Sequence, residues 1–369
     1  MDAMKRTRLL LLAVVGVIAA LGLAACGSDD DDDGGSSGGG GTIAFLLPET
    51  QTARYETQDK PLFEQKVEEL CPDCDIFYQN ADQDPTKQQS QVEAAVTEGV
   101  DVMVLDPVDS TAAAGMVQRA KDAGIPVISY DRLILEADLD YYVEFNSQEV
   151  GVQQGQALAK KLADDGNPTG PIVQINGDPK DNNAKLFKEG SSSVFDKEGI
   201  EVAKEYDTPD WLPENAQREM EQAITALGED GFKGVYAAND GTAGGAIAAL
   251  TGAGLDPQTI PVTGQDAELA AIQRILAGEQ YMTVYKPIKP LADDAAELAV
   301  AVAQGQDPPE GIINGSEDNG TEDVPTAINK TIPVFKDNVK DTIIADDYWS
   351  PQEICTKQYA QACKDAGIQ

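Results

Sequence analysis

The chain has 369 residues, of which 41% are hydrophobic and 25% charged, and this length suits two globular domains. Its 64 acidic residues outnumber 27 basic ones, and the resulting net charge of −37 disfavours binding to the phosphate backbone of a nucleic acid. The absence of histidine excludes Ser-His-Asp and Cys-His catalysis and removes the commonest metal ligand, although carboxylate chemistry remains possible.

The first 26 residues have the pattern of an export signal. Lys5, Arg6 and Arg8 precede an apolar run from 9 to 23, which is short for a membrane-spanning helix. The run ends in Leu-Ala-Ala-Cys, which resembles the cleavage motif of bacterial lipoproteins. That resemblance implies a lipid on Cys26 that anchors the protein to the outer face of the cytoplasmic membrane. A plain signal peptide or a short membrane anchor is the alternative.

Residues 27–41 consist of glycine, serine and aspartate only. This composition predicts a flexible tether with an r.m.s. reach of roughly 20 Å. The five consecutive aspartates at 29–33 are interpreted as a solvated spacer rather than a calcium site, and we expect neither a metal nor a cofactor anywhere in the chain.

From Thr42 onward, apolar strand patterns alternate with amphipathic helix patterns. Strands are predicted at 42–47, 75–79, 101–105, 126–130 and 141–145, with helices between them. Ser110 is expected to cap the third helix and Gly124 to end it. Such alternation predicts a parallel sheet with helices on both faces.

The same alternation restarts after Ser147 and predicts a second doubly wound unit. Its predicted strands are 171–176, 200–205, 234–238, 260–264 and 280–285, and its predicted helices include 184–195, 213–227, one from 242, and 269–277. A helix at 291–302, a Gly/Asp/Pro-rich passage at 305–323, a strand at 331–335 and a helix at 351–366 close the chain. We therefore expect one lobe from 42–147 and 286–320 and another from 148–285 and 321–369.

Four cysteines remain besides Cys26, and an exported protein can oxidise them. Cys71-Pro-Asp-Cys74 has the spacing of a redox motif, but it follows a predicted helix, whereas a reactive thiol needs a helix N-terminus to lower its pKa. Structural disulfides are therefore favoured. Of the three possible pairings, Cys71–Cys74 with Cys355–Cys363 requires the fewest assumptions about the fold.

Polar and aromatic side chains follow the ends of the predicted strands, where an open α/β sheet binds its ligands. Asp131 and Arg132 are the central pair, because an adjacent carboxylate and guanidinium can accept from one hydroxyl and donate to the next. The other candidates are Arg54, Tyr55, Asn146, Asn182, Asn183, Trp211, Asn239, Asp266 and Lys286. Singly, each has an ordinary structural explanation, such as a helix cap or a core aromatic residue. Together they have the mixture of aromatic faces and bidentate polar groups that a sugar requires.

Six stretches at these positions resemble the ribose/galactose/xylose group of type 1 periplasmic binding proteins. They are 131–132, 181–187, 211–216, 239–245, 264–267 and 283–287. The second and third resemble the xylose-binding branch, whereas the Asp-Arg and Gly-Gln-Asp stretches resemble sugar binders of this fold more widely. The resemblance covers residues 42–345, and it implies an α/β fold of two doubly wound, Rossmann-like parallel-sheet lobes joined by a multi-crossover hinge.

The resemblance also implies a role for each candidate residue. Tyr55 and Trp211 would stack on opposite faces of a sugar. Its hydroxyls would be held by Arg54, Asp131 and Arg132 from the first lobe, Asn182, Asn183, Asn239 and Asp266 from the second, and Lys286 from the hinge. Two positions depart from the family pattern: Tyr55 stands where the family usually has Trp, and Asn146, also a candidate ligand residue, stands where Asp is expected.

The function implied is capture of a monosaccharide, D-xylose or a close relative, and its delivery to the permease of an ABC importer. The protein would be a monomer and would not be an enzyme. The alternative is a sugar sensor of the same fold that signals to a chemoreceptor or a sensor kinase. A secreted glycosidase is disfavoured by the two-lobe pattern, and a DNA-binding repressor would need a helix-turn-helix where the leader and tether lie.

Overall fold

The computed structural model describes residues 40–368, which lie in one compact unit. The predicted signal sequence, the predicted lipidation site Cys26 and nearly all of the predicted tether lie outside the described residues. Within 40–368, no helix combines the length and apolar character needed to cross a membrane.

Strands and helices alternate along most of the chain from Thr42 onward. The strands are β1 (Thr42–Leu47), β2 (Asp75–Asn80), β3 (Val102–Leu105), β4 (Val127–Tyr130), β5 (Tyr141–Phe145), β6 (Ile172–Asn176), β7 (Val202–Asp207), β8 (Gly234–Ala237), β9 (Thr283–Tyr285), β10 (Gly315–Asp318), β11 (Asp323–Asn329) and β12 (Ile332–Val334). The helices are α1 (Lys60–Leu70), α2 (Pro85–Glu98), α3 (Ala114–Asp122), α4 (Ser147–Asp164), α5 (Asn182–Glu198), α6 (Pro213–Leu227), α7 (Asp240–Gly252), α8 (Leu269–Ala277), α9 (Ile288–Ala303), α10 (Pro351–Ile354) and α11 (Ala360–Asp365).

The first lobe is built on a seven-stranded sheet in the order β10-β11-β5-β4-β3-β1-β2. Every pairing is parallel except that of β10 with β11. Residues 43–47 of β1 are fully buried, which explains their continuous apolar run, since a parallel strand with helices on both faces has no solvent side. Helix α9 returns to this lobe and packs on α1 and on the sheet.

The second lobe has β6 between β7 and β8, with β9 and β12 paired antiparallel beside them. The predicted strand at 260–264 is an extended segment that makes single bridges, Val262 to Val235 of β8 and Gln265 to Val284 of β9. It thereby joins the two groups of strands into one layer. The predicted fold class, α/β with two doubly wound parallel-sheet lobes, is confirmed.

The C-terminal part of the chain contains elements that the sequence pattern did not include. The Gly/Asp/Pro-rich passage at 305–323 holds β10, and β11 begins at its last residue and pairs with β5 of the first sheet. The chain then passes from β11 in the first sheet to β12, which pairs with β9, between Asn329 and Ile332. The predicted helix at 351–366 is interrupted, because the chain leaves helical geometry at Cys355 and resumes it in α11.

Both expected disulfides are confirmed. Cys71 is bonded to Cys74 directly after α1, and Cys355 is bonded to Cys363. The first bridge closes the turn into β2, and the second ties the end of α10 to α11, so each constrains a connection between elements.

A buried carboxyl group in the first sheet makes stability depend on pH. Burial and the neighbouring carboxylate of Glu317 on β10 raise the pKa of Glu144 on β5 from 4.5 to about 8, although a hydrogen bond with Tyr142 acts in the opposite direction. Between pH 4.5 and about 8, Glu144 therefore keeps its proton in the folded protein, whereas the same group in the unfolded chain has lost it. This contribution to stability is complete below the unfolded pKa and is lost as pH rises through about 8.

We expect the thermal unfolding midpoint of the wild-type protein to fall between about pH 5 and pH 8.5 more steeply than that of Glu144→Gln, because glutamine does not titrate. Glu98→Gln, at an exposed position on α2, is the control and should keep the wild-type slope. Equal slopes for all three proteins would contradict the assignment of this proton to Glu144.

Candidate functional site

The two lobes face each other across a cleft and make direct hydrogen bonds there. Ser110 of the first lobe donates its N–H to Lys180 O (3.0 Å), and its Oγ accepts from Asn182 N (3.0 Å). Asn183 Nδ2 donates to Asp131 O at 2.9 Å. Ser110 was expected to cap the third helix; instead it links the lobes, and Asp109 accepts from the backbone amides of that turn. The lobes are therefore closed.

A small cavity lies between the closed lobes. Its walls contain most of the side chains predicted from the strand ends: Arg54, Tyr55, Asp131, Arg132, Asn183, Trp211, Asn239, Asp266 and Lys286. The carboxyl ends of the strands in both lobes point at the cleft, so residues more than 200 positions apart in sequence meet there.

Two candidate residues lie outside the cavity walls. Asn146 is exposed, and its side chain caps α4 by accepting from Glu149 N at 2.9 Å. Asn146 therefore does not line this cavity, because the residue that follows β5 also caps α4, and its role as a ligand residue stays a prediction. Asn182 is half-buried and contributes its backbone N–H to the contact with Ser110.

Four cavity-lining residues were not among the predicted ligand residues: Thr52, Asp181, Phe187 and Gln265. Asp181 has the sequence signature of a helix cap, and its Oδ1 does accept from Asn183 N at 2.8 Å. Phe187 lies on α5 rather than at a strand end. Helices α4 and α5 pack closely beside it at Gly151, where a Cβ would lie 2.1 Å from Phe187 O. Gln265 directly follows the predicted strand at 260–264, and this strand-end position is the sequence signal that could have indicated it.

Arg54 is held in the first lobe by a buried carboxylate. Its Nε and Nη2 lie 3.0 and 2.8 Å from the two oxygens of Asp59, which also accepts from Tyr130 Oη at 2.6 Å. Its Nη1 then lies 3.4 Å from Asp131 Oδ1. This bidentate geometry fixes the guanidinium against the cavity wall.

Asp131 is charged despite being buried. Burial alone raises its pKa, but the charges of Arg54 and Lys286 and a 2.8 Å hydrogen bond from Tyr55 Oη outweigh burial and lower the pKa to about 2. The same bond orients the Tyr55 ring, whose centroid lies 4.9 Å from the Arg54 guanidinium carbon. An ionised acceptor and an aromatic face are thus fixed side by side.

Arg132 connects the lobes by charge. Its Nε lies 3.1 Å from Asp181 Oδ2 of the second lobe, and its Nη1 donates to Pro107 O at 3.3 Å. Two more buried carboxylates, those of Glu49 and Asp106, lie 3.7 Å from the guanidinium. Burial raises the pKa of Asp181, with the charge of Arg132 acting against it.

Trp211 forms the wall of the second lobe. Its indole Nε1 donates to Asp181 Oδ2 at 3.2 Å, and its ring lies so close to Gly177 that a Cβ there would be 2.0 Å away. Asp210 and Trp211 have φ values of +58° and +56°, a left-handed conformation that costs non-glycine residues about 1–3 kcal/mol each. Phe187 meets the indole edge to face, with ring centroids 6.4 Å apart.

Lys286 and Asp266 complete the cavity at the crossover between the lobes. Lys286 Nζ lies 3.0 Å from Asp266 Oδ1, and both side chains are about 95% buried. The ammonium also lies over the rings of Phe145 and Phe187, at 5.8 and 5.6 Å from their centroids. These contacts compensate the burial of the cation.

The cavity is polar, nearly neutral and incompletely satisfied. Its three carboxylates, at 131, 181 and 266, match its three cations, at 54, 132 and 286. Asn183 Oδ1 and Gln265 Oε1 are buried without a hydrogen-bond donor among the described residues, whereas buried acceptors are normally paired. The site can therefore accept hydrogen bonds from a small neutral molecule rich in hydroxyl groups and pack aromatic rings against its apolar face.

Comparison with known proteins identifies the architecture. A sequence model described as a periplasmic binding protein domain matches residues 43–307. The chain belongs to the periplasmic binding protein family. This periplasmic binding protein is therefore a solute-binding protein and not an enzyme, and the family resemblance drawn from its motifs is confirmed.

Relatives and solved structures match this periplasmic binding protein over most of its length. The D-xylose-binding periplasmic protein of Escherichia coli K12 is 41% identical over 301 residues, which are 80% of this chain and 88% of that one. The multiple sugar-binding periplasmic receptor ChvE of Rhizobium radiobacter is 32% identical over 85% of this chain and 92% of its own. A carbohydrate transporter solute binding protein from Chloroflexus aurantiacus, solved in complex with D-glucose, is 32% identical, with a TM-score of 0.73 over 84% of this chain and 97% of its own.

Proposed function

We propose that this periplasmic binding protein captures one monosaccharide, D-xylose or a close relative, between its lobes and delivers it to the permease of an ABC importer. The observation that carries the proposal is the cavity between the closed lobes, where aromatic rings, balanced charges and unpaired acceptors converge. The relatives named for D-xylose and for multiple sugars support a sugar as the solute.

The chemistry of the cavity matches a pyranose ring. Equal numbers of carboxylates and cations favour a neutral solute over a charged one. The indole of Trp211 and the phenol of Tyr55 offer faces for the sugar's C–H groups, while Asp131 and Asn183 accept from its hydroxyls. Tyr55 is smaller than the tryptophan usual at this position in the family, so this position is the one we expect to tune the choice among sugars.

Delivery follows from lobe closure. Three crossovers, near Phe145–Ser147, Tyr285–Pro287 and between Asn329 and Ile332, are the hinges about which the lobes would move. A sugar that contacts both lobes favours the closed state, because only that state provides all of its hydrogen bonds. The permease would then recognise the surface that the two lobes form in the closed, sugar-bound state.

The proposal includes attachment to the membrane through a lipid on Cys26, with a monomeric binding domain held at the end of the tether. The leader and its Leu-Ala-Ala-Cys ending support this placement. The mass of the mature N-terminal peptide tests this attachment, because a lipid on Cys26 would increase that mass.

Isothermal titration with D-xylose, D-ribose, L-arabinose, D-glucose and D-galactose tests the solute. We expect one-to-one binding of D-xylose. Binding of another sugar alone would leave the mechanism unchanged, and the different sugar preference would be attributed to Tyr55. No heat of binding with any of the five sugars would refute the monosaccharide assignment.

Two asparagines provide a matched pair for locating the site. Asn239 caps α7 and lines the cavity, whereas Asn146 caps α4 and is exposed. Both alanine substitutions remove a cap worth about 0.5–2 kcal/mol. We expect only Asn239→Ala to weaken sugar binding, about tenfold or more, because it alone also removes a ligand hydrogen bond. Equal affinities of the two variants in the same titration would argue against this cavity as the binding site.

A further inference from the structure

The loop that carries Asp266 into the cavity has an unusual backbone. Asp266 and Ala267 are consecutive non-glycine residues with φ values of +93° and +52°. Side chains with a Cβ rarely adopt this conformation, and it persists only where surrounding contacts determine it. The contacts of this loop therefore decide where the Asp266 carboxylate points.

The amides and the carbonyls of this loop are bound by different parts of the chain. Asp266 N donates to Val284 O of β9 at 2.9 Å, and Ala267 N donates to Thr283 Oγ1 at 3.2 Å. The carbonyls accept from two aromatic side chains much further along the chain: Ala267 O from Trp349 Nε1 at 2.8 Å and Asp266 O from Tyr348 Oη at 3.3 Å.

These two aromatic residues end a segment, residues 338–349, that we call the C-terminal strap. The strap is also held by contacts with residues that do not line the cavity. Val339 and Ile343 are buried in the main core, and the Tyr348 ring packs 4.9 Å from that of Tyr285, which precedes Lys286. Beyond it, Gln273 of α8 donates to the carbonyls of Glu353 and Ile354, both at 3.2 Å.

We propose that Trp349 and Tyr348 are positioning residues for the solute site. By holding the two carbonyls of the strained loop, they keep the Asp266 carboxylate 3.0 Å from Lys286 and turned into the cavity. Neither ring is among the described cavity-lining residues, so both act on the solute through Asp266. The inference rests on the proposed function, because D-xylose is the probe of its binding test.

Trp349→Phe is the decisive substitution, since it keeps an aromatic ring and removes the N–H donor. We expect the Kd for D-xylose, from isothermal titration, to rise about tenfold, the usual consequence of losing one hydrogen bond to a constrained group. Tyr348→Phe should raise it less, because its bond is longer. The matched control is Ser350→Ala, the next residue, which removes the capping box of α10 and should lower the thermal midpoint while leaving the Kd unchanged.

A double-mutant cycle separates positioning from general destabilisation. If Trp349 acts through the Asp266 carboxylate, Trp349→Phe should add little to the Kd of Asp266→Asn, because the oriented charge is already gone. The same fold-loss in both backgrounds would overturn the proposal.

Hydrogen exchange in the sugar-free protein gives a second readout that does not depend on the solute. In Trp349→Phe, the amides of the peptide spanning 264–268 should exchange faster than in the wild type and in Ser350→Ala, because the loop opens locally. Unchanged exchange would overturn the proposal. If no sugar binds to the wild-type protein, the proposed function fails, and the exchange result still decides whether Trp349 holds the loop.

Discussion

Replacement of Trp211 by alanine is expected to raise the Kd for D-xylose by about 100-fold, which corresponds to about 2.7 kcal/mol. Two contributions add. The sugar loses an aromatic face that is fixed in place by a strained backbone and by close packing on Gly177. Asp181 loses the donor at 3.2 Å that orients it toward Arg132 on the opposite lobe, so the closed state is weakened as well.

Isothermal titration of two further variants separates these contributions. Trp211→Phe keeps a ring without the N–H, and it should retain part of the affinity. Leu212→Ala, at the adjacent position and outside the cavity walls, should bind as the wild type does. Wild-type affinity in Trp211→Ala would mean that the sugar does not contact this wall, and the proposed site would have to be abandoned.

The elements predicted well from the sequence are those whose burial is uniform. Residues 42–47 of β1 and 141–145 of β5 were predicted at their observed bounds, because buried parallel strands are rich in apolar and aromatic residues and β5 is interrupted only by Glu144. β10 and β11 were missed since one is Gly-Ser-Glu-Asp and the other alternates exposed and buried residues around Pro325. The pairing of β11 with β5 depends on a contact between distant parts of the chain, which no local pattern contains.

The site shows the same division between local and distant information. The rule that ligands lie at strand ends located Asp131, Asn239 and Asp266, because strand ends are visible in sequence. It also selected Asn146, which does not line the cavity, since a strand end does not reveal whether the next side chain turns toward the cleft or caps the following helix. It could not find Phe187, which lies on α5 rather than at a strand end.

Asp59 is expected to contribute most to stability among the residues near the site, although it does not line the cavity. It is fully buried and accepts from Arg54 at two oxygens and from Tyr130 Oη. Asp59→Ala would leave the Arg54 guanidinium buried without this partner, and breaking a buried ion pair in this way costs about 3–5 kcal/mol. Chemical denaturation, with the free energy of unfolding compared at equal slope, measures the loss.

The neighbouring helix provides a control of the same chemistry. Glu64→Ala removes the partly exposed pair with Lys60 on α1, at 2.8 Å, and should cost no more than about 0.5 kcal/mol, because water screens that pair. Asp59→Ala should also weaken sugar binding, since Arg54 loses the carboxylate that aims it at the cavity. The stabilisation that D-xylose gives in the same denaturation experiment should therefore be smaller for Asp59→Ala than for Glu64→Ala. Equal unfolding free energies for the two variants would show that Asp131 alone compensates Arg54, and that the fixed orientation of Arg54 does not depend on Asp59.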